Sequence, residues 1–172
     1  MDIFFLIIFF LILLLALVTI AYIIYIQLIP GAFYYPSAPD RVKTIFDNLK
    51  ISKKDTVVDL GSGDGRLLIA AAKLGAKAIG YEMNPALIHQ SRQKIENLKL
   101  SGLIEIKAKN FWKADLSSAT IICVYQFPKY VAKLEKILKK SKHPVIVVSN
   151  DYPFPNQKPY LIKNRIHFYK FP

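Results

Sequence analysis

From residue 3 to residue 26 every position is apolar except Thr19 and two tyrosines, with no polar face at any helical spacing. At 1.5 Å per residue a helix over this run reaches about 36 Å, enough to cross a bilayer with some tilt. Beyond position 39 the pattern changes to short apolar runs separated by amphipathic stretches. Strands are expected at Thr56–Leu60, 78–81, Ile104–Ala108, 121–125 and 145–149, and helices at 40–49, 66–74, 85–100 and 128–140. Such alternation predicts an α/β domain with a mostly parallel sheet covered on both faces. The final stretch, P-Y-L-I-K-N-R-I-H-F-Y-K-F, breaks at Lys163-Asn164-Arg165 into two short strands, an antiparallel hairpin closing the edge of what becomes a seven-stranded sheet. Residues 1–29 are therefore read as a transmembrane anchor, 30–39 as a Pro- and Tyr-containing connector, and 40–172 as one folded domain with no room for a second.

The most specific stretch is V-V-D-L-G-S-G-D-G-R at 57–66, where an apolar strand turns into a helix through Gly61, Gly63 and Gly65. Glycines so placed open backbone conformations closed to other residues and let the main chain approach a ligand. Asp59 stands at the carboxyl end of the strand, where open parallel sheets bind ligands. A dinucleotide loop would need a small residue at position 66 to pack helix on strand, and position 66 is Arg66. The spacing is instead the G-x-G-x-G of class I methyltransferases that bind S-adenosylmethionine. Glu82, about twenty residues on at the end of the next apolar run, is placed to accept hydrogen bonds from ribose hydroxyls.

Charge refines the anchor. The first forty residues hold no lysine or arginine, and Asp2 alone precedes the apolar run. A signal peptide would bring a basic n-region and a small-residue cleavage site, which the sequence does not show. All 24 basic residues but only ten of the twelve acids follow position 40, a net +14 beyond the run. Arg41 and Lys43 make that flank positive, so the domain is expected on the cytoplasmic side of a single-pass cell-membrane anchor, with Tyr22 and Tyr25 as interfacial residues. The excess charge fits either nucleic acid or anionic lipid; tethering to a membrane favours lipid. Cys123 is the one cysteine and lies in an apolar strand, and His89, His143 and His167 lack ligand spacing, so no disulfide and no metal are expected.

Several strings together narrow the reading: Y-Y-P-S from Tyr34, the glycine loop continued as L-L-I-A-A-A-K, G-Y-E-M-N-P, S-R, N-F-W-K-A-D-L-S, and the late P-F-P. They resemble the membrane-anchored protein-lysine methyltransferases, whose known mitochondrial members modify the c-type ring protein of ATP synthase and the adenine nucleotide translocase. The resemblance implies a Rossmann-like class I methyltransferase fold with S-adenosylmethionine as cofactor and a protein lysine near the membrane as acceptor. It implies that Asp59, Gly61, Ser62, Gly63 and Gly65 surround the methionine part and that Glu82 holds the ribose. Asn110 would take the adenine amino group where the family usually has Asp, and Phe111 or Trp112 would pack on the ring.

After the fourth strand the chain reads Tyr125-Gln126-Phe127-Pro128, without the Asn/Asp-Pro-Pro-Tyr motif that holds planar amides and base amines. A lysine amine needs aromatic walls and shielding from water instead. Tyr35 and Tyr125, with Tyr34 and Phe127, are the candidates, acting by substrate positioning with no evident general base. An RNA methyltransferase and a non-catalytic cofactor-binding protein are the alternatives.

Overall fold

The structure is a computed structural model that describes residues 3–28, 34–141 and 143–172. It divides into two compact units, Met1–Phe33 and Tyr34–Pro172. The part of the expected connector at 30–33 lies outside the described residues.

The first unit carries helix α1 (Ile3–Leu28). Over Ile3–Tyr25 its mean hydropathy reaches 3.4 and none of it is buried, so it is long and apolar enough to cross a membrane. Thr19 returns its hydroxyl to the carbonyls of Leu15 and Ala16, which keeps that polar group paired on the helix side.

In the second unit, α2 (Pro39–Asp47) leads into β1 (Thr56–Leu60), α3 (Arg66–Lys73), β2 (Lys77–Glu82), α4 (Pro85–Asn97) and β3 (Ile104–Ala108). A 3-10 turn (Phe111–Lys113), β4 (Ile121–Val124), α5 (Pro128–Leu138), β5 (Val145–Asn150), β6 (Leu161–Lys163) and β7 (Ile166–Phe171) follow. The seven strands are ordered β3-β2-β1-β4-β5-β7-β6. The first five are parallel; β7 runs antiparallel to both β5 and β6, so the expected hairpin forms, with β6 at the edge. Asn164 and Arg165, both at positive φ, make its two-residue turn, the backbone twist that suits a tight hairpin.

The apolar residues sort by face. Ile45 of α2, Leu67, Leu68 and Ala71 of α3, and Ile88 and Ile95 of α4 cover one side of the sheet. Val131, Leu134 and Leu138 of α5, with Phe154 and Tyr169, cover the other. Central strands buried on both sides read as unbroken apolar runs, as β4 does. The helices after β1 and β4 thus leave to opposite faces, which opens a crevice at the carboxyl ends of these adjacent strands.

Boundaries moved by a few residues for local reasons. Helix α4 stops at Asn97, short of the expected 100, because Lys99 takes a left-handed conformation (φ +57°). The amides of Lys99 and Leu100 then bond back to the carbonyls of Glu96 and Ile95, closing the helix as Gly75 closes α3. Lysine is an unusual residue for that cap, and nothing in the sequence marked it.

Candidate active site

The glycine loop is built on a carboxylate. Glu82, the last residue of β2, accepts the amide of Gly63 at 2.9 Å on Oε2 and those of Met83 and Asn84, both at 2.8 Å, on Oε1. The amides of Gly61 and Ser62 donate to the Tyr81 carbonyl, so the loop is laid along the end of β2. Gly61 (φ +101°), Gly63 (φ +52°) and Gly65 (φ +80°) are all left-handed, which explains the residue type at each. At Gly63 a second reason applies: a Cβ would meet the Tyr34 ring at 2.9 Å. Gly63→Val should therefore lower cofactor affinity about a hundredfold, from roughly 2–3 kcal/mol of backbone strain and steric clash. Circular dichroism should show the sheet intact, and normal binding by a folded variant would reduce the loop to a structural turn.

Beneath the loop lies Asp59, only 4% exposed, in register with Gly80 of β2 and Cys123 of β4. Burial, and then the negative charges of Glu82 and Asp64, push its carboxyl up to about 7; among the described residues no hydrogen bond relieves it. A buried acceptor without a donor is costly unless a donor arrives. Cys123 is also buried, and burial with the Asp59 charge pushes its thiol up, as befits an inert core residue. The Ser62 hydroxyl is buried without a partner among the described residues and is turned toward Gly80, where a Cβ would lie 2.5 Å from it. Gln126 braces the crevice from β4, donating to the Leu60 carbonyl at 3.1 Å.

A charged cluster that sequence reasoning missed ties the connector to this loop. Arg66 grips both oxygens of Asp64 through Nε and Nη2 at 2.9 Å, and Lys94 donates to Asp64 at 2.7 Å. Against the cost of burial, these bonds hold the Asp64 carboxyl well below the usual range. Arg66 also donates to the Ser37 carbonyl at 2.6 Å and, at 3.4 Å, to the Tyr34 hydroxyl. Position 66, the residue that set this loop apart from a dinucleotide turn, is thus the clasp that lays Tyr34 over Gly63.

The structure therefore brings Asp59, Gly61, Ser62, Gly63, Gly65 and Glu82 together at the end of β1. Asn110 and Phe111 follow β3. The Asn110 side-chain oxygen accepts the Trp112 amide at 3.0 Å and so caps the 3-10 turn. Phe111 lies 4.6 Å from Trp112, ring centre to centre, and both pack against the α5 face of the core. Tyr35, 75% exposed, meets Tyr125 edge to face at 6.0 Å, just beyond β4. Phe127 sits nearby against Tyr152 at 6.3 Å.

Residues 59–161, from Asp59 through the start of β6, match the model of the ANTKMT methyltransferase domain. The chain belongs to this family. Among its relatives, the lysine N-methyltransferase of the ATP synthase c-type ring protein from Xenopus laevis is 35% identical over 127 residues, which make up 73% of this chain and 56% of that protein. A protein-lysine N-methyltransferase of Saccharolobus islandicus is 33% identical over 72% of this chain and 79% of its own length. Among solved structures, an RNA methyltransferase of Salinibacter ruber in complex with S-adenosyl-L-homocysteine superposes with a TM-score of 0.73 at 29% identity. That alignment covers 80% of this chain and 92% of the other. The seven-stranded sheet of this ANTKMT-type domain is accordingly the Rossmann-like class I methyltransferase fold expected from the sequence. The chain spans about half the length of the vertebrate relatives it matches.

Proposed function

We propose that this protein is an S-adenosylmethionine-dependent methyltransferase acting on lysine side chains of a membrane-associated protein. The observation that carries the cofactor is Asp59: a buried carboxylate with no donor among the described residues, under left-handed glycines, suits a ligand with an ammonium group and a chain that lies close to backbone. The methionine part of S-adenosylmethionine is such a ligand. Asp59 and the loop around Gly61, Ser62, Gly63 and Gly65 would hold that part. Glu82, with one acceptor position left beyond its three amides, would take a ribose hydroxyl, and Asn110 with Phe111 would meet the adenine. When bound, the cofactor supplies a methyl group activated by its sulfonium.

Lysine as acceptor is favoured by the protein-lysine relatives and by the aromatic pair Tyr35 and Tyr125 at the crevice. Aromatic faces attract the incoming ammonium by cation–π interaction and exclude water once it is neutral. The amine nitrogen that takes the methyl group sheds a proton to solvent. Holding the amine in line supplies most of the acceleration, roughly 7 to 11 kcal/mol in favourable cases. The similarity to an RNA methyltransferase, together with the net +14 beyond position 40, favours RNA as the second reading.

The full chain in detergent, incubated with methyl-labelled cofactor and a membrane fraction, should yield labelled protein whose hydrolysate contains methyl-lysine. Label in RNA instead would move the assignment to the second reading. Helix α1 is proposed as a single-pass cell-membrane anchor with the domain on the cytoplasmic side. Deleting residues 1–29 should release the protein from membranes and leave cofactor affinity unchanged, since the loop, Asp59 and Glu82 lie downstream. Attachment of the deletion variant that survives high salt would contradict anchoring by α1, whereas attachment that salt removes would belong to the basic surface.

A further inference from the structure

Asp151 stands directly after β5 in a left-handed conformation (φ +64°), and its carboxylate is engaged from three sides. Its Oδ1 accepts Arg41 Nη1 at 2.9 Å and lies 3.0 Å from Arg165 Nε. Its Oδ2 accepts the hydroxyl of Tyr125 at 2.7 Å. Arg41 also donates to the Asn150 side-chain oxygen at 2.6 Å, and Asn150 donates to the Ser37 hydroxyl at 3.3 Å, so the carboxylate is clamped in place from both the helix α2 side and the strand end. Arg165 is largely exposed and adds little.

A phenol has one proton to donate. On Tyr125 that proton is committed to a fixed carboxylate, so the oxygen meets anything entering beside Tyr35 with lone pairs only. Resting on the lysine reading above, we infer that Asp151 is a positioning residue: it makes the Tyr125 hydroxyl an obligate hydrogen-bond acceptor, which selects an acceptor group bearing N–H. An amine that points one N–H at this oxygen turns its nitrogen lone pair elsewhere, toward the crevice. A group entering as a hydrogen-bond acceptor would face oxygen lone pairs and be disfavoured. The protonation states agree with the geometry. Burial, then the bond to Asp151, push the Tyr125 hydroxyl well up, while the bonds from Tyr125 and Arg41 outweigh burial and hold Asp151 below the usual carboxylate range.

The test uses the full chain in detergent and the same membrane fraction, with Asp151→Asn, Tyr125→Phe and the double variant. Asparagine keeps the shape and an oxygen for Arg41, but its amide can donate to the phenol oxygen and free the hydroxyl to turn. Each single variant should lower methyl-lysine formation at saturating cofactor about tenfold, the worth of one well-placed hydrogen bond, and leave cofactor affinity unchanged. The double variant should fall no further than the lower single, because both substitutions remove the same contact. Tyrosine labelled with carbon-13 at Cζ gives an independent signal, assigned by its loss in Tyr125→Phe. It should stay protonated to about pH 10.5 in the wild type and begin to titrate in Asp151→Asn, toward the ordinary phenol range. Multiplicative losses, or a wild-type rate in Asp151→Asn, would overturn this inference alone. A wild-type protein that forms no methyl-lysine would overturn the lysine reading with it.

Discussion

Asp59→Asn should make the cofactor-free domain more stable at pH 8 and bind S-adenosylmethionine at least tenfold more weakly. The folded state holds this carboxyl neutral up to about pH 7, against 3.8 as its ordinary value. A group whose folded pKa is raised favours the fold most when neutral: that stability is fully present below pH 3.8 and is lost as pH rises through 7. Wild type thus carries a growing penalty between about pH 4 and pH 8, up to about 4 kcal/mol by linkage, which the uncharged amide does not share. The cost of burying an unpaired amide subtracts part of the gain. Calorimetric melting of both proteins at pH 4.5 and pH 8 reads the difference directly, and a gap that fails to widen with pH would remove Asp59 from this role. The affinity half has its own signature. Wild-type binding should strengthen from pH 5.5 to 7.5 as Asp59 loses its proton, and in Asp59→Asn that dependence should vanish.

Glu82→Ala should cost more than the loss of a ribose contact. Three backbone amides, those of Gly63, Met83 and Asn84, lose a charged acceptor together. Bonds to charged groups contribute roughly 1.5–3 kcal/mol each, so loop order and fold stability should both suffer. Cofactor binding should become undetectable by calorimetry at micromolar protein, with a thermal midpoint several degrees lower. Glu82→Gln separates the two roles, because a side-chain oxygen can still accept from Gly63 while the charge is gone. It should recover much of the midpoint and little of the affinity. A Glu82→Ala protein that melts and binds as wild type would place the carboxylate outside the site.

Sheet, crevice and loop were legible because each rests on local pattern. The strands at Thr56–Leu60 and Ile104–Ala108 have the bounds that their apolar runs indicated. The glycines mark backbone conformations that only glycine adopts cheaply, and Glu82 was found by its distance from the loop. The reach of Glu82 was only partly visible: its place at the end of β2 followed from sequence, but its three amide partners depend on how the loop folds back over that strand end. Asn110 shows the same limit, since capping of the 3-10 turn is a matter of how the chain turns after β3.

The sequence by itself determined the apolar helix, the alternation that makes a parallel sheet, the left-handed glycine loop and the acid opposite it. These follow from periodicity, backbone sterics and spacing, which act within a few turns of chain. Only the tertiary structure decided that Arg66 clasps Asp64 and Ser37, that Tyr34 lies over Gly63, and that Asp151 holds the Tyr125 hydroxyl. Those pairs join residues 26 to 32 positions apart, or neighbours whose charges have several possible partners, and they become contacts when the sheet brings the ends of β1, β4 and β5 to one edge. The raised pKa of Asp59 belongs with them, because burial by α-helices on both faces of the sheet, rather than residue type, sets the cost of its charge.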